Sequence, residues 1–180
     1  MSEGELAAVL LTGPFGVGKS TVAAEMADAL ERRTVRYAML DLDYLAWGYA
    51  GSDDDSAEFG MMLRNLEPVL SNYLAVGVGR VILARTIHAA SELERLRATL
   101  PMPLRVVRLA VPLAEVERRL GADVMSGRAH DLRRAAEQVL ASPTDGEEDL
   151  VVSNDRPVRE VVGEILAWLG WTPTLETPGA

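Results

Sequence analysis

The chain predicts an α/β fold of three layers, α/β/α, around a five-stranded parallel sheet, and three observations carry that prediction. Apolar runs suited to strands alternate five times with helical stretches, the pattern that builds a parallel sheet covered on both faces with right-handed crossovers. The stretch Gly13-Pro14-Phe15-Gly16-Val17-Gly18-Lys19-Ser20-Thr21 completes the spacing G-x-x-x-x-G-K-[ST] directly after the first apolar run. An Asp-x-Asp, Asp41 and Asp43, closes the second run, and in open α/β sheets the carboxyl ends of the strands border the ligand crevice.

The elements follow in order. Leu6 to Leu11 is an apolar first strand, and after the glycine loop Ala23, Met26, Ala27 and Leu30 recur at i, i+3, i+4, i+7 of a helix that begins near Lys19. Thr34 to Leu40, β-branched and aromatic at its start, reads as the second strand. An aromatic stretch, Tyr44 to Tyr49, and an acidic turn, Gly51 to Asp55, come next. A helix from about Ser56 to Ala75 presents Phe59, Met62, Leu63, Leu66, Leu70, Tyr73 and Leu74 as its apolar face, and Pro68 implies a kink or two shorter helices meeting there. Its Asn65 and Asn72 read either as substrate contacts or as ordinary exposed polar residues. Gly79 to Arg85 is the third strand; Ser91 with Glu94 forms a capping-box pattern opening a helix through Leu100, and Leu104 to Val111 is the fourth strand. Pro112 turns into a helix with Val116 and Leu120 inward. The segment 121–131 lacks periodicity and reads as a small mobile lid. Asp131 caps a further helix, Leu150 to Ser153 is a short fifth strand, and Pro157 suits the first turn of a last helix carrying Val158, Val161, Val162, Ile165 and Leu169. Residues 1–171 are expected to form one domain and 172–180 a loose tail.

Composition narrows the function. At 180 residues, 48% hydrophobic and 25% charged, the chain has ordinary globular usage. A net charge of −9 argues against nucleic acid or an anionic membrane as partner, since either needs a basic face. No run approaches the roughly 18 apolar residues of a membrane span, and Met1 to Glu5 is acidic where a signal peptide is basic, so cytoplasmic residence is expected. With no cysteine and two histidines, thiolate and zinc chemistry drop out, leaving Mg²⁺ brought with nucleotide as the expected metal.

The glycine loop has a physical rationale. Glycines let backbone N–H groups turn inward round a polyphosphate, and the following helix aims its positive dipole end at the same anion. Gly13, Gly16, Val17, Gly18, Lys19, Ser20 and Thr21 are therefore the nucleotide-binding candidates; Lys19 reaches the β and γ phosphates, and Ser20 ligates Mg²⁺. Lys19 is the only lysine among 18 basic residues. A compact, flexible point charge at this position is not interchangeable with a rigid guanidinium fork.

With the loop, the Asp-x-Asp and an arginine-bearing segment before the last strand in place, nearly the whole chain resembles the small P-loop kinases: shikimate, gluconate and adenylylsulfate kinases and chloramphenicol phosphotransferase. The resemblance implies strand order 2-3-1-4-5 within the P-loop NTPase fold, with ATP and Mg²⁺ as cofactors. It implies that Asp43 meets the acceptor hydroxyl, that Asp41 holds Mg²⁺ with Ser20, and that lid arginines clamp the transferring phosphate. Arg119 and Arg128 are chosen for that role, with Arg118, Arg133 and Arg134 close by. Adenine is expected against backbone near Asn154 to Pro157. There are departures. The third strand ends Ala84-Arg85-Thr86, without the usual Walker B aspartate, and Arg85 either serves an acceptor's negative charge or pairs with a surface acid. The segment round Asp43 does not reproduce the Asp-Gly-Asp-Asn of adenylylsulfate kinases, and a guanine-specifying Asn-Lys-x-Asp is missing.

The resulting reading is an ATP-dependent phosphotransferase acting on a hydroxyl of a small metabolite, as monomer or homodimer. Phosphoryl transfer needs mainly positioning and charge neutralisation, with a carboxylate to accept the hydroxyl proton. The Tyr44 to Tyr49 stretch suggests a ring-bearing acceptor, although Trp47 reads equally well as core. Two alternatives stand beside it: a nucleoside monophosphate kinase, with Arg64 and Arg85 for the acceptor phosphate, and a nucleotide-binding regulatory ATPase with no small-molecule acceptor.

Overall fold

Strands β1 (Ala7–Thr12), β2 (Tyr37–Asp41), β3 (Arg80–Ala84), β4 (Leu104–Ala110) and β5 (Leu150–Ser153) make one all-parallel sheet in the order β2-β3-β1-β4-β5. The structure is a computed structural model that describes residues 6–47, 55–112, 114, 115, 118 and 146–171. Every residue of β1 and β3 is buried, as a parallel sheet with both faces covered requires. The two-residue period of the strand divides the core in two. Ala7, Val9 and Leu11 of β1, with Ile82 and Ala84 of β3, face helices α1 (Lys19–Glu31) and α5 (Val158–Leu169). Ala8 and Leu10, with Val81 and Leu83, face α2 (Leu42–Ala46), α3 (Asp55–Ala75) and α4 (Ala90–Thr99).

The starts of β2 and α4 differ from the sequence expectation, and two readings it left open are settled, each for a local reason. β2 starts at Tyr37, because Thr34 adopts φ 60°, rare for a β-branched residue, and its N–H closes a turn on the Glu31 carbonyl at 2.9 Å. α3 passes through Pro68 as one helix, not two. Phe59, Met62 and Leu66 before the proline and Leu70 after it share one buried stripe, so packing holds the helix across the lost backbone bond. α4 begins at Ala90, and its capping box does not form with Ser91 and Glu94; the Glu92 carboxylate accepts the His88 N–H at 2.7 Å. Trp47 is not core but 78% exposed. By contrast, β5 has the expected bounds, and α5 starts directly after Pro157.

The register brings the carboxyl ends of all five strands to one edge, with Leu11 opposite Ala84 and Val107, Asp41 opposite Ala84, and Ala110 opposite Ser153. The expected lid at 121–131 and tail at 172–180 lie outside the described residues, as do Tyr49 and the helix expected after Asp131. No helix among the described residues is long and apolar enough to cross a membrane.

Candidate active site

The glycine loop leaves β1 at that edge and is fixed from every other strand. Gly13 takes φ 135°, and a Cβ on it would stand 2.5 Å from the Leu109 carbonyl oxygen of β4. The Gly13 carbonyl accepts a hydrogen bond from the Thr86 hydroxyl just beyond β3 at 3.1 Å. Asn154, buried at the end of β5, donates its side-chain amide to the Val17 carbonyl at 2.7 Å. Ser20 donates to Asp41 Oδ2 at the end of β2 at 2.6 Å. Gly18, left-handed at φ 99°, is the N-cap of α1, so the helix opens at Lys19 with its first N–H groups directed toward the loop.

Lys19 Nζ donates to the carbonyls of Gly13 at 3.1 Å and Pro14 at 3.0 Å. Burial lowers its pKa to about 8, while the charges of Asp43 and Asp41 pull the other way. This shift gives a proton linkage of definite sign. Above pH 8 much of Lys19 is neutral, and a bound polyphosphate favours its charged form, so nucleotide binding takes up protons there; well below pH 8 the lysine is already charged and uptake vanishes. Calorimetric titration with ADP in buffers of different ionisation enthalpy is expected to show uptake above pH 8 that disappears in Lys19→Met.

The two aspartates divide their work. Asp41 caps α2, its Oδ1 accepting the Asp43 N–H at 3.2 Å while Oδ2 holds Ser20. Asp43, one residue into α2, has its side chain 63% exposed, and Arg85 anchors one of its oxygens with NH1 to Oδ1 at 2.8 Å. The Arg85 side chain is only 7% exposed; it also approaches Glu58 at 3.6 Å and lies over the Phe59 ring at 5.4 Å. Arg85 thus pairs with an acid, but a site acid and from within the core. Desolvation raises the Asp43 carboxyl above the ordinary range, Arg85 opposes the rise, and Asp41 adds to it.

A cleft of about 470 Å³ is lined by Phe15, Gly16, Gly18, Lys19, Ser20, Thr21, Asp43, Asn154, Arg156 and Val158. Gly16, Gly18, Lys19, Ser20, Thr21 and Asp43 therefore share one space. Asp41 joins them through Ser20. Gly13, packed against β4, Val17, buried, and Pro157, the N-cap of α5, do not line the cleft. Arg119 and Arg128 lie outside the described residues. Arg118 is exposed and binds Glu115 through two hydrogen bonds of 2.7 and 2.6 Å. Sequence reasoning missed the partnership of Arg85 with Asp43, which joins residues 42 apart, and the buried tie from Asn154 to the loop. The only signals were an arginine ending a buried strand and an asparagine ending β5. Asn65, one of two helix asparagines, instead donates to the Leu45 carbonyl at 2.7 Å and pins α2 to α3.

A family described as AAA domain matches residues 9–142. No curated protein sequence matches the chain. Among solved structures, a gluconokinase from Sinorhizobium meliloti 1021 superposes with TM-score 0.66 at 20% identity, covering 95% of this chain and 94% of its own. The Mycobacterium tuberculosis APS kinase CysC in complex with AMPPNP and APS gives TM-score 0.62 at 23% identity, with 92% and 98% covered. A shikimate kinase from Bacteroides thetaiotaomicron gives 0.64 at 15%, with 91% and 98% covered. At such identities the likeness is one of fold, and the sheet order observed here matches it. The chain belongs to the AAA domain family and has the fold of the small P-loop kinases.

Proposed function

We propose that the chain is a phosphotransferase that moves the γ-phosphoryl group of ATP to a hydroxyl of a small metabolite. The observation that carries this is the Asp43 carboxylate standing in the same cleft as Lys19 and the phosphate loop. In the reaction the acceptor oxygen bonds to the γ-phosphorus, the bond from that phosphorus to the β,γ-bridging oxygen breaks, ADP leaves, and the hydroxyl proton passes to Asp43. Arg85 holds Oδ1 of Asp43, which directs Oδ2 to the acceptor. A carboxyl raised above its ordinary range is better matched to taking a proton near neutrality. Lys19 and the loop amides neutralise charge on the phosphates. The oxygen donors Ser20 and Asp41, 2.6 Å apart, suit Mg²⁺, which when bound supplies further neutralisation of the β and γ phosphates. Arg119 and Arg128 are assigned to the transferring phosphoryl, and backbone between Asn154 and Pro157 to adenine.

The monophosphate-kinase alternative is weakened, because Arg85 is engaged by Asp43 and Glu58 and only Arg64 of its two cations is left. A charge of −9 supports a small-molecule acceptor over nucleic acid or an anionic membrane. The test is ADP release from Mg·ATP, alone and with pooled nucleosides, monophosphates, sugars, shikimate and aminoglycosides. Stimulation by one pool is the expected result. Basal hydrolysis that no pool changes, together with a nucleotide-dependent change in light scattering, would replace the kinase with the regulatory ATPase.

A further inference from the structure

We propose that Tyr44 and Trp47 form a stacking wall of the acceptor site, so that the acceptor is a hydroxylated compound bearing a planar ring. This rests on the phosphotransferase reading and names its substrate class. Helix α2 buries Leu42 and Ala46 and turns two aromatic rings outward, Tyr44 67% and Trp47 78% exposed. The rings stack with centroids 5.2 Å apart and planes 23° from parallel. Burial in the core would have been the ordinary fate of an indole in a chain with nine aromatic residues.

The pair is also held still and placed beside the chemistry. Asp41 caps the first turn of α2, and Asn65 holds the Leu45 carbonyl at 2.7 Å, so the backbone that carries the rings is tied to the elements around Asp43. Trp47 follows Asp43 by four residues as the C-cap of α2, with φ −67°, ψ 96° and its N–H on the Tyr44 carbonyl at 3.4 Å. Asp43 is the residue of α2 that lines the cleft, and the indole follows it by about one turn, roughly 5–6 Å at Cβ, just beyond that lining. A planar ring laid against the indole places its hydroxylated substituent one helical turn away, at the carboxylate. Phe15, exposed and lining the cleft, puts a third ring at this edge of the sheet. Among the described residues, two stacked rings beside an exposed carboxylate are small for a protein-docking patch, which typically exceeds a few hundred Å² of continuous apolar surface. They match a single ring.

The experiment uses the full chain labelled with fluorotryptophan, the Trp47 resonance being the one lost in Trp47→Phe. Uridine and para-nitrobenzyl alcohol are titrated in the presence of Mg·AMPPNP, with ribose as the hydroxylated compound lacking a planar ring. The expected result is a saturable shift of the Trp47 resonance with both ring compounds and none with ribose. Trp47→Ala then weakens their binding about tenfold, the scale of one stacking contact, and Trp47→Phe restores most of it. An unmoved Trp47 resonance while Mg·AMPPNP binds normally overturns the proposal. So does a ring-free acceptor that drives ADP release equally in wild type and Trp47→Ala. Line broadening with protein concentration and no ligand response assigns the rings to self-association, which also overturns it. Ring binding at Trp47 in a protein whose ADP release no acceptor pool stimulates leaves the rings as a ligand wall but removes the phosphotransfer reading, and with it their assignment to an acceptor site.

Discussion

Replacing Asp43 by asparagine is expected to lower acceptor-dependent turnover about 10²–10⁴-fold, the usual contribution of a positioned general base, while Mg·ATP affinity stays near that of the wild type. The separation follows from the geometry. Ser20 and Asp41 bond each other, Lys19 bonds the loop carbonyls, and none of these contacts passes through the Asp43 side chain. Asparagine keeps an oxygen able to accept from Arg85 but has no lone-pair-bearing carboxylate to take the hydroxyl proton. The fold is expected to survive, because the Asp43 side chain is mostly exposed and Arg85 keeps Glu58 as a second acidic neighbour. Steady-state ADP release with a stimulating acceptor, beside a nucleotide titration and a thermal melt, reads all three quantities. Equal turnover in the variant would remove Asp43 from the chemistry, and a collapsed melt would make it structural.

Gly13→Ala is expected to destabilise the protein by about 3 kcal/mol or more, because a strained left-handed backbone and a backbone collision coincide at one Cα. The φ of 135° is one that side chains rarely adopt, and the added methyl would lie 2.5 Å from the Leu109 carbonyl oxygen. Relief by moving β4 is difficult, since that strand is bonded to β1 on one side and β5 on the other. Any shift of Gly13 also disturbs the carbonyl that Thr86 and Lys19 share. Urea unfolding is expected to show a lower midpoint with unchanged slope, and nucleotide binding should weaken in the same variant. A wild-type midpoint would mean that the loop has an alternative path past Leu109.

Local pattern was enough for the sheet and for bringing the glycine loop to the candidate cleft. β5 is bracketed by acidic and turn residues, and α5 by Pro157, so their limits are written in neighbouring residues. The loop spacing located Lys19 and Ser20 for the same reason. What escaped depends on partners distant in the chain. The capping oxygen of α4 proved to be Glu92, a choice made by where the His88 backbone points. Pro68 is held helical by the buried stripe on its two sides, which outweighs the lost bond. Arg85 could be seen to lack the usual strand-end acid, yet its Asp43 partner, brought by the pairing of β2 with β3, could not be read from spacing. Trp47 has the composition of a core residue and is outside because Leu42 and Ala46 already fill the inward positions of a five-residue helix.

The lone lysine has a chemical consequence of another kind. With no other ε-amine in the chain, amine-directed acylation of a lysine side chain has a single address, and it lies in the phosphate loop. A pKa of about 8 leaves roughly a tenth of that amine as the neutral nucleophile at pH 7, against well under a thousandth for an ordinary lysine. The Lys19 Nζ lies among the Gly13 and Pro14 carbonyls, so an acylating reagent small enough to reach the loop is expected to add to Lys19 in the free protein and not in the nucleotide-bound one. Occupancy of the loop would then be read as the mass of one side-chain adduct.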